Sequence, residues 1–371
     1  MKIAVISSAP IIPEGGAYFA YSPYVTELKI WAADTEVAMA CPIWESRRGL
    51  LVSEIPFPIA ETFEVSEFNI KSVANILKAL AYSFKNFHAI YRAMRWADHI
   101  HLRCPGNVTL MGCIVQILFP RKIKTAKYAG NWDPDAKQPL SYRIQKWILS
   151  NTFLTRNMSV LVYGEWRNSS KNIKPFFTAT YRKSDKIPVQ PRELLGTIRF
   201  VFVGMLSPGK RPLYAVQLIE TLKSKGFDVA LDFYGDGLER ESLENYVLEN
   251  ALGDFVGFHG NQPENVVRKA FIESHFAVLP SKSEGWPKAI AEAMFWGCLP
   301  IASKVSCVPY MLGNGDRGVL IDINLEDDAK KLISLLENPE VYKAKVSESI
   351  VWSRQFTLDL FEKEIKNLLH R

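Results

Sequence analysis

The sequence predicts an α/β protein built as two doubly wound halves. Three observations carry this reading. Short apolar runs alternate with helix-compatible segments, the rhythm of a parallel sheet covered on both faces. The rhythm breaks once, over residues 168–196, where polar and basic residues mix with Pro175, Pro188 and Pro191. It then restarts with the strand-like "IRFVFVGM" at 198–205, in a chain of 371 residues, long enough for two ordinary domains.

The elements follow in order. "KIAVIS" is β-branched and apolar, so it reads as a buried first strand. A loop with Gly15 and Gly16 leads to a helix over about 24–33 and a strand over 36–40. A long helix is expected from about 70 to 96. "ADHIHLR", "KTAKYAG" and "MSVLVYG" are further strands. After the 168–196 linker, "FDVALDFYG", "DFVGFHG", "HFAVLPS" and "LPIAS" alternate with four helical segments. The expected domains are 1–190 and 191–350, with 351–371 as a closing helix.

Composition narrows the function. The five cysteines form no Cys-x-x-Cys pair and have no His at ligand spacing, so a disulfide framework or zinc site is not expected and a reducing compartment fits. The longest apolar run, 108–119, falls well short of the ~20 residues that cross a bilayer. Over residues 101–195 Lys and Arg outnumber Asp and Glu by 16 to 5, which suits an anionic partner or a plain solvated surface.

In open α/β sheets, ligands sit beyond the carboxyl ends of the strands. One such loop opens "SKSEGWPKAIAEAMFWG" at 281–297. Pro287 suits a first helical position, and the free amides of that turn form an anion site. Gly285 leaves room for close backbone approach. Glu292 sits among apolar neighbours on the second turn, and a buried carboxylate there needs donors such as paired hydroxyls. An exposed Lys288–Glu292 pair at i, i+4 is the alternative.

The Glu-x7-Glu of "EGWPKAIAE" resembles the signature of retaining GT-B glycosyltransferases, family 4. "VGMLSPGKRPLYAVQLI", "FYGDG", "DFVGFHG" and "RGVLI" match that family's order and spacing across about 198–322. The resemblance implies two Rossmann-like domains facing a cleft, with the last helix crossing back to the first domain. It implies transfer of a hexose-type sugar from a nucleotide diphosphate sugar, with retention, to a hydroxyl of a glycan or lipid-diphosphate-linked acceptor in surface polysaccharide synthesis. Glu292 would bind ribose and Glu284 the transferred sugar. Amides from Gly285 through Trp286 and Pro287 to Lys288 would meet the sugar or diphosphate. Lys210 would stabilise the departing diphosphate, a role for a placed cation. Gly204 and Arg211 would flank it, and Gly260 and Asn261 would lie near the base. No metal or other cofactor is required.

The first half departs from the pattern. Gly15 and Gly16 would approach the diphosphate or acceptor, or form a plain turn. "GNWDP" stands where many members carry a His, so Asn131 would contact the sugar and Trp132 would stack on a ring. Arg103 is an acceptor candidate. Met205 replaces an Arg common in the family. A soluble-acceptor transferase or an inactive nucleotide-sugar binder therefore stands beside the main reading, while nucleic-acid binding has no motif. The resemblance and the basic first half imply a cytoplasmic protein, peripheral on the inner membrane face, with the aromatic and basic "KNFHAIYRAMRW" at 85–96 either docking there or packing in the core.

Overall fold

A computed structural model of the chain describes residues 1–67 and 73–369, with the side chains of 73–83 left out. Two compact units result: Met1–Phe176 with the segment from Glu362 onward, and Phe177–Phe361.

Among its described residues the first unit holds ten strands: β1 (Lys2–Ser7), β2 (Ile12–Glu14), β3 (Ala17–Tyr21), β4 (Glu36–Cys41), β5 (Val52–Glu54), β6 (Ile59–Glu64), β7 (His99–Cys104), β8 (Ile123–Tyr128), β9 (Met158–Tyr163) and β10 (Ile173–Phe176). Its helices are α1 (Ser22–Ala32), α2 (Val73–Trp96), α3 (Asn107–Val115) and α4 (Leu140–Ser150). Seven strands form one sheet in the order β10-β9-β8-β7-β1-β4-β6, with every pairing parallel. Strands β2, β3 and β5 form a small antiparallel sheet.

The second unit carries β11 (Ile198–Val203), α5 (Pro212–Ser224), β12 (Val229–Tyr234), α6 (Arg240–Glu249), β13 (Val256–Phe258), α7 (Glu264–Glu273), β14 (Phe276–Leu279), α8 (Lys288–Phe295), β15 (Leu299–Ser303), α9 (Val308–Met311), β16 (Val319–Ile321), α10 (Leu325–Leu336) and α11 (Pro339–Ser353). The last helix, α12 (Leu358–Leu369), starts in this unit and continues into the first. The sheet order is β13-β12-β11-β14-β15-β16, all parallel. Counted within the unit, that is 3-2-1-4-5-6, the doubly wound order whose direction reverses between β11 and β14. In open α/β sheets this switch point is where ligands bind, beyond the carboxyl ends of the strands.

The interiors explain the order. Phe200 and Phe276 stack across β11 and β14 at 5.0 Å, and Phe202 meets Phe233 at 5.1 Å. Strand β14 is buried along its whole length and β11 over residues 200–202, which is why they read as apolar runs, while β12 alternates buried and half-buried positions. Two differences from the sequence reading stand out. The stretch read as linker contains β10, an edge strand that tolerates Pro175 because edges need fewer ladder donors. The antiparallel strands β2 and β3 fall in a stretch read as loop, and β5 in a stretch given no element. The predicted long helix is present as α2, while its residues 70–72 lie outside the described residues. Segment 85–96 packs inward, with Ile90, Ala93 and Met94 fully buried in the core. Among the described residues no helix is long and apolar enough to cross a membrane.

Candidate functional site

Three strand ends of the second unit are locked into one tier. Gly204 N–H donates to Tyr234 O at 2.9 Å, and Gly235 N–H to Gly260 O at 2.8 Å. Gly235 has φ +145°, and a Cβ there would lie 2.0 Å from the Gly204 carbonyl oxygen. No side chain fits, so the backbones after β11, β12 and β13 close together. Asn261 follows on the exposed surface. His259 Nε2 lies 2.6 Å from Asp232 Oδ1, and its ring stacks on Tyr234 at 4.6 Å.

The crevice between β11 and β14 is built from two loops that hold each other. Lys282 N–H donates to Gly209 O at 2.8 Å. Arg211, in the left-handed region at φ +49°, precedes α5 and donates to the carbonyls of Pro280 and Ser281 at 3.3 and 3.4 Å. Across this junction Lys210 Nζ meets Glu284 Oε1 at 2.5 Å. The Glu284 side chain is 8% exposed and that of Lys210 is 29%. The hydroxyl of Ser281, fully buried at the same junction, has no partner among the described residues.

Helix α8 begins at Lys288, with Pro287 capping it rather than occupying its first turn. Its first internal bond is Ile290 N–H to Pro287 O at 3.0 Å, so the amides of Lys288 and Ala289 precede the helical ladder. Gly285 O accepts from Cys307 Sγ at 2.9 Å. Trp286 is buried against Trp352 and Phe356, 6.1 and 5.6 Å away. Glu292 accepts a 2.6 Å hydrogen bond from Thr180 Oγ1. Burial raises its carboxyl above the ordinary range, Thr180 and Lys288 oppose that, and Glu264 adds to it. The cavity beside it, about 20 Å³, has room for about one water.

The first unit arranges its candidates differently. Gly15 and Gly16 form the two-residue turn of the β2–β3 hairpin, at φ +60° and +84°, and nothing lies within 4 Å of a Cβ at either. Their conformation, not crowding, calls for glycine. Arg103 is tied to Glu27 at 2.5 Å, with Lys127 2.6 Å from the same carboxylate, and its guanidinium covers Tyr24 at 4.3 Å. Burial would raise the Glu27 carboxyl, but the two cations hold it well below the usual range. Asn131 Oδ1 accepts from Asp133 N–H at 2.8 Å, closing a local turn. Trp132 is 5% exposed, edge-on to Tyr128 at 4.8 Å, with the Lys146 ammonium 5.4 Å from its ring centre. Core packing accounts for it.

Sequence reasoning did not find Thr180, Ser281, Glu27 or Lys127. Only Lys127 left a signal, a charge inside a strand, which it shares with Lys124 of the same strand.

In doubly wound sheets ligands sit at the switch point and anions at helix N-termini; here Lys210 and the loop that leads into α8 occupy that position. Residues 183–349 match the family model of glycosyl transferases group 1. An uncharacterised glycosyltransferase of Haemophilus influenzae is 30% identical over 171 residues, 45% of this chain and 47% of that one. The amylovoran biosynthesis glycosyltransferase AmsK of Erwinia amylovora is 26% identical over 187 residues, 47% and 45% of the two chains. The chain spans about half the length of the curated relatives it matches. Over its full length it superposes on the lipopolysaccharide outer core galactosyltransferase WaaB, with TM-score 0.71, 17% identity and 99% of that chain covered. Anabaena HepE, solved with UDP, gives TM-score 0.67 at 14% identity, with both chains fully covered. At these identities the likeness establishes the fold, that of GT-B glycosyltransferases.

Proposed function

We propose that the chain transfers a hexose-type sugar, with retention, from a nucleotide diphosphate sugar to a hydroxyl of a glycan or lipid-linked acceptor in surface polysaccharide synthesis. The observation that carries this is the junction at the β11–β14 switch point. There a partly exposed Lys210 pairs with Glu284, in the loop that also carries the buried Ser281 hydroxyl and leads into the first amides of α8. The naming of AmsK for amylovoran biosynthesis, and of a Salmonella typhimurium relative, WcaL, for colanic acid biosynthesis, supports the polysaccharide role. The UDP bound in HepE supports the donor class.

In this reading the diphosphate lies against Lys210 and the α8 amides. As the bond from the anomeric carbon to the diphosphate oxygen breaks, negative charge grows on that oxygen, and Lys210 stabilises it. The acceptor oxygen bonds the anomeric carbon on the same face, and its proton passes to the departing diphosphate. Glu284, released from Lys210, accepts from sugar hydroxyls. Glu292 accepts from ribose hydroxyls in place of Thr180, whose bond to it would open to admit them. The reaction needs no metal, since Lys210 and the helix end supply the positive field.

A thermal-shift screen against UDP-, GDP- and ADP-sugars tests the donor class. A ligand at 100 times its Kd adds about 2.7 kcal/mol, which is readily seen. No shift with any of them would refute the proposal. The anomeric configuration of a product, read by NMR, tests retention.

A further inference from the structure

Helix α4 carries an apolar row that nothing in its unit covers. Leu140, Ile144 and Trp147 stand at i, i+4 and i+7 on one side, 68, 39 and 63% exposed. The other side already buries Gln145, Ile148 and Leu149, so the helix is anchored without the row. Phe153, 70% exposed, follows the helix. Single exposed apolar residues are ordinary, whereas an aligned row with a bare indole marks a contact surface.

Charge decides what kind of contact. Residues 136–164 include Lys137, Arg143, Lys146 and Arg156 and no Asp or Glu. Arg143 is exposed on the same arc as the row, at i+3 from Leu140. The Arg156 guanidinium lies 4.6 Å from the centre of the Phe153 ring. A second copy of this chain would set one cationic patch against another. An anionic bilayer complements it: acyl chains take the apolar row, headgroups take the cations, and indole rings favour that boundary. Eleven residues of helix are about 16 Å long, too short to span, so α4 would lie in the plane of the surface.

We propose that the outer face of α4, continued by Phe153, docks the protein on an anionic lipid surface. This assigns membrane contact to α4 and not to segment 85–96, whose apolar side is spent on the core. It does not rest on the donor reading and holds whether or not sugar is transferred.

The test is co-sedimentation of the full chain with vesicles of phosphatidylglycerol and phosphatidylcholine in equal parts, against phosphatidylcholine alone. The chain should bind the anionic vesicles, and less so as salt is raised. The triple variant L140Q/I144Q/W147Q should lower the bound fraction about tenfold or more, as should R143E/R156E. All these positions are exposed, so melting temperatures and donor-induced thermal shifts should stay at wild-type values. Failure of the wild type to bind anionic vesicles, or undiminished binding by the triple variant, would overturn the proposal. A wild-type dimer that the triple variant dissolves, with vesicles left unbound, would assign the face to a second copy instead.

Discussion

Lys210 Nζ lies 2.5 Å from Glu284 Oε1, joining the loop after β11 to the loop before α8. The carboxylate is nearly enclosed and the ammonium is partly open, so the lysine both neutralises the acid and remains reachable by an anion. Lys210→Met should therefore have two separable effects. Turnover should fall about 10²–10³-fold, as when a contact to developing charge is lost. Stability should fall too, because Glu284 is left desolvated and unpaired. Adding Glu284→Gln should restore stability by about 0.5–3 kcal/mol while turnover stays low. Additive urea-denaturation energies in this double-mutant cycle would show the pair to be uncoupled.

That pair also marks where sequence reading stops. Strands β11, β12 and β14 were legible because each is a largely apolar run ended by Gly or Pro, and β15 because its run follows the helix stop at Gly297. Glu284 and Lys210 were legible as site residues through their motifs. Their partnership was not, since the two lie 74 residues apart and meet only because β11 and β14 are neighbours. The Thr180–Glu292 bond, across 112 residues, escaped for the same reason. Strands β2 and β5, three residues each and largely exposed, carry too few side chains for a periodic signal. Trp132 read as a sugar platform because sequence shows an aromatic beside a polar loop but not that Tyr128 lies beneath it.

Glu292 should couple donor binding to proton release. Its carboxyl pKa is raised, chiefly by burial, so it holds its proton more tightly than an exposed carboxyl does. Ribose hydroxyls donating to it favour the ionised form, so binding lowers its pKa and expels a proton. Titration calorimetry near that pKa should give enthalpies that vary with the buffer's ionisation enthalpy. Glu292→Gln should abolish the variation and weaken binding about 10- to 100-fold, the worth of a hydrogen bond to a charged group. In the free protein the sign is opposite to the usual acid case. The native state holds the proton more tightly, so this group's contribution to stability falls as pH rises from its unfolded to its folded value. Thr180→Val, which removes a donor to the ionised form, should steepen that fall.

Gly235 should tolerate no side chain. Gly235→Ala adds a methyl that would sit 2.0 Å from the Gly204 carbonyl oxygen, at a φ that L residues avoid. Strain and clash together should cost more than about 3 kcal/mol and open the tier that carries Gly204 and Gly260. Gly15→Ala, at φ +60° in the left-handed region that L residues can reach and with no atom near, should cost only about 1 kcal/mol. Chemical denaturation of the two variants measures the difference. Near-equal losses would mean that the tier relaxes without cost.

The first unit should lose stability in mild acid through two buried histidines. His99 Nε2 and His101 Nδ1 each lie 2.8 Å from Thr125 Oγ1, and Trp31 stacks on His101 at 4.0 Å. One hydroxyl can donate to one ring and accept from the other, an arrangement that suits two neutral imidazoles. Burial pushes His99 down to about 4 and His101 well below its usual value, with Arg103 adding to the latter. A depressed base binds its proton more readily when unfolded, so its stabilisation is complete above about pH 6.5 and is lost as pH falls. For His99 the loss is about 3 kcal/mol between pH 6.5 and 4, at 1.36 kcal/mol for each unit of pKa. Urea midpoints measured across that window should fall steeply for the wild type. The double variant H99Q/H101Q, less stable at pH 7, should show a flatter slope. Parallel slopes would place the acid sensitivity elsewhere, in the carboxylates that hold ion pairs such as Glu27.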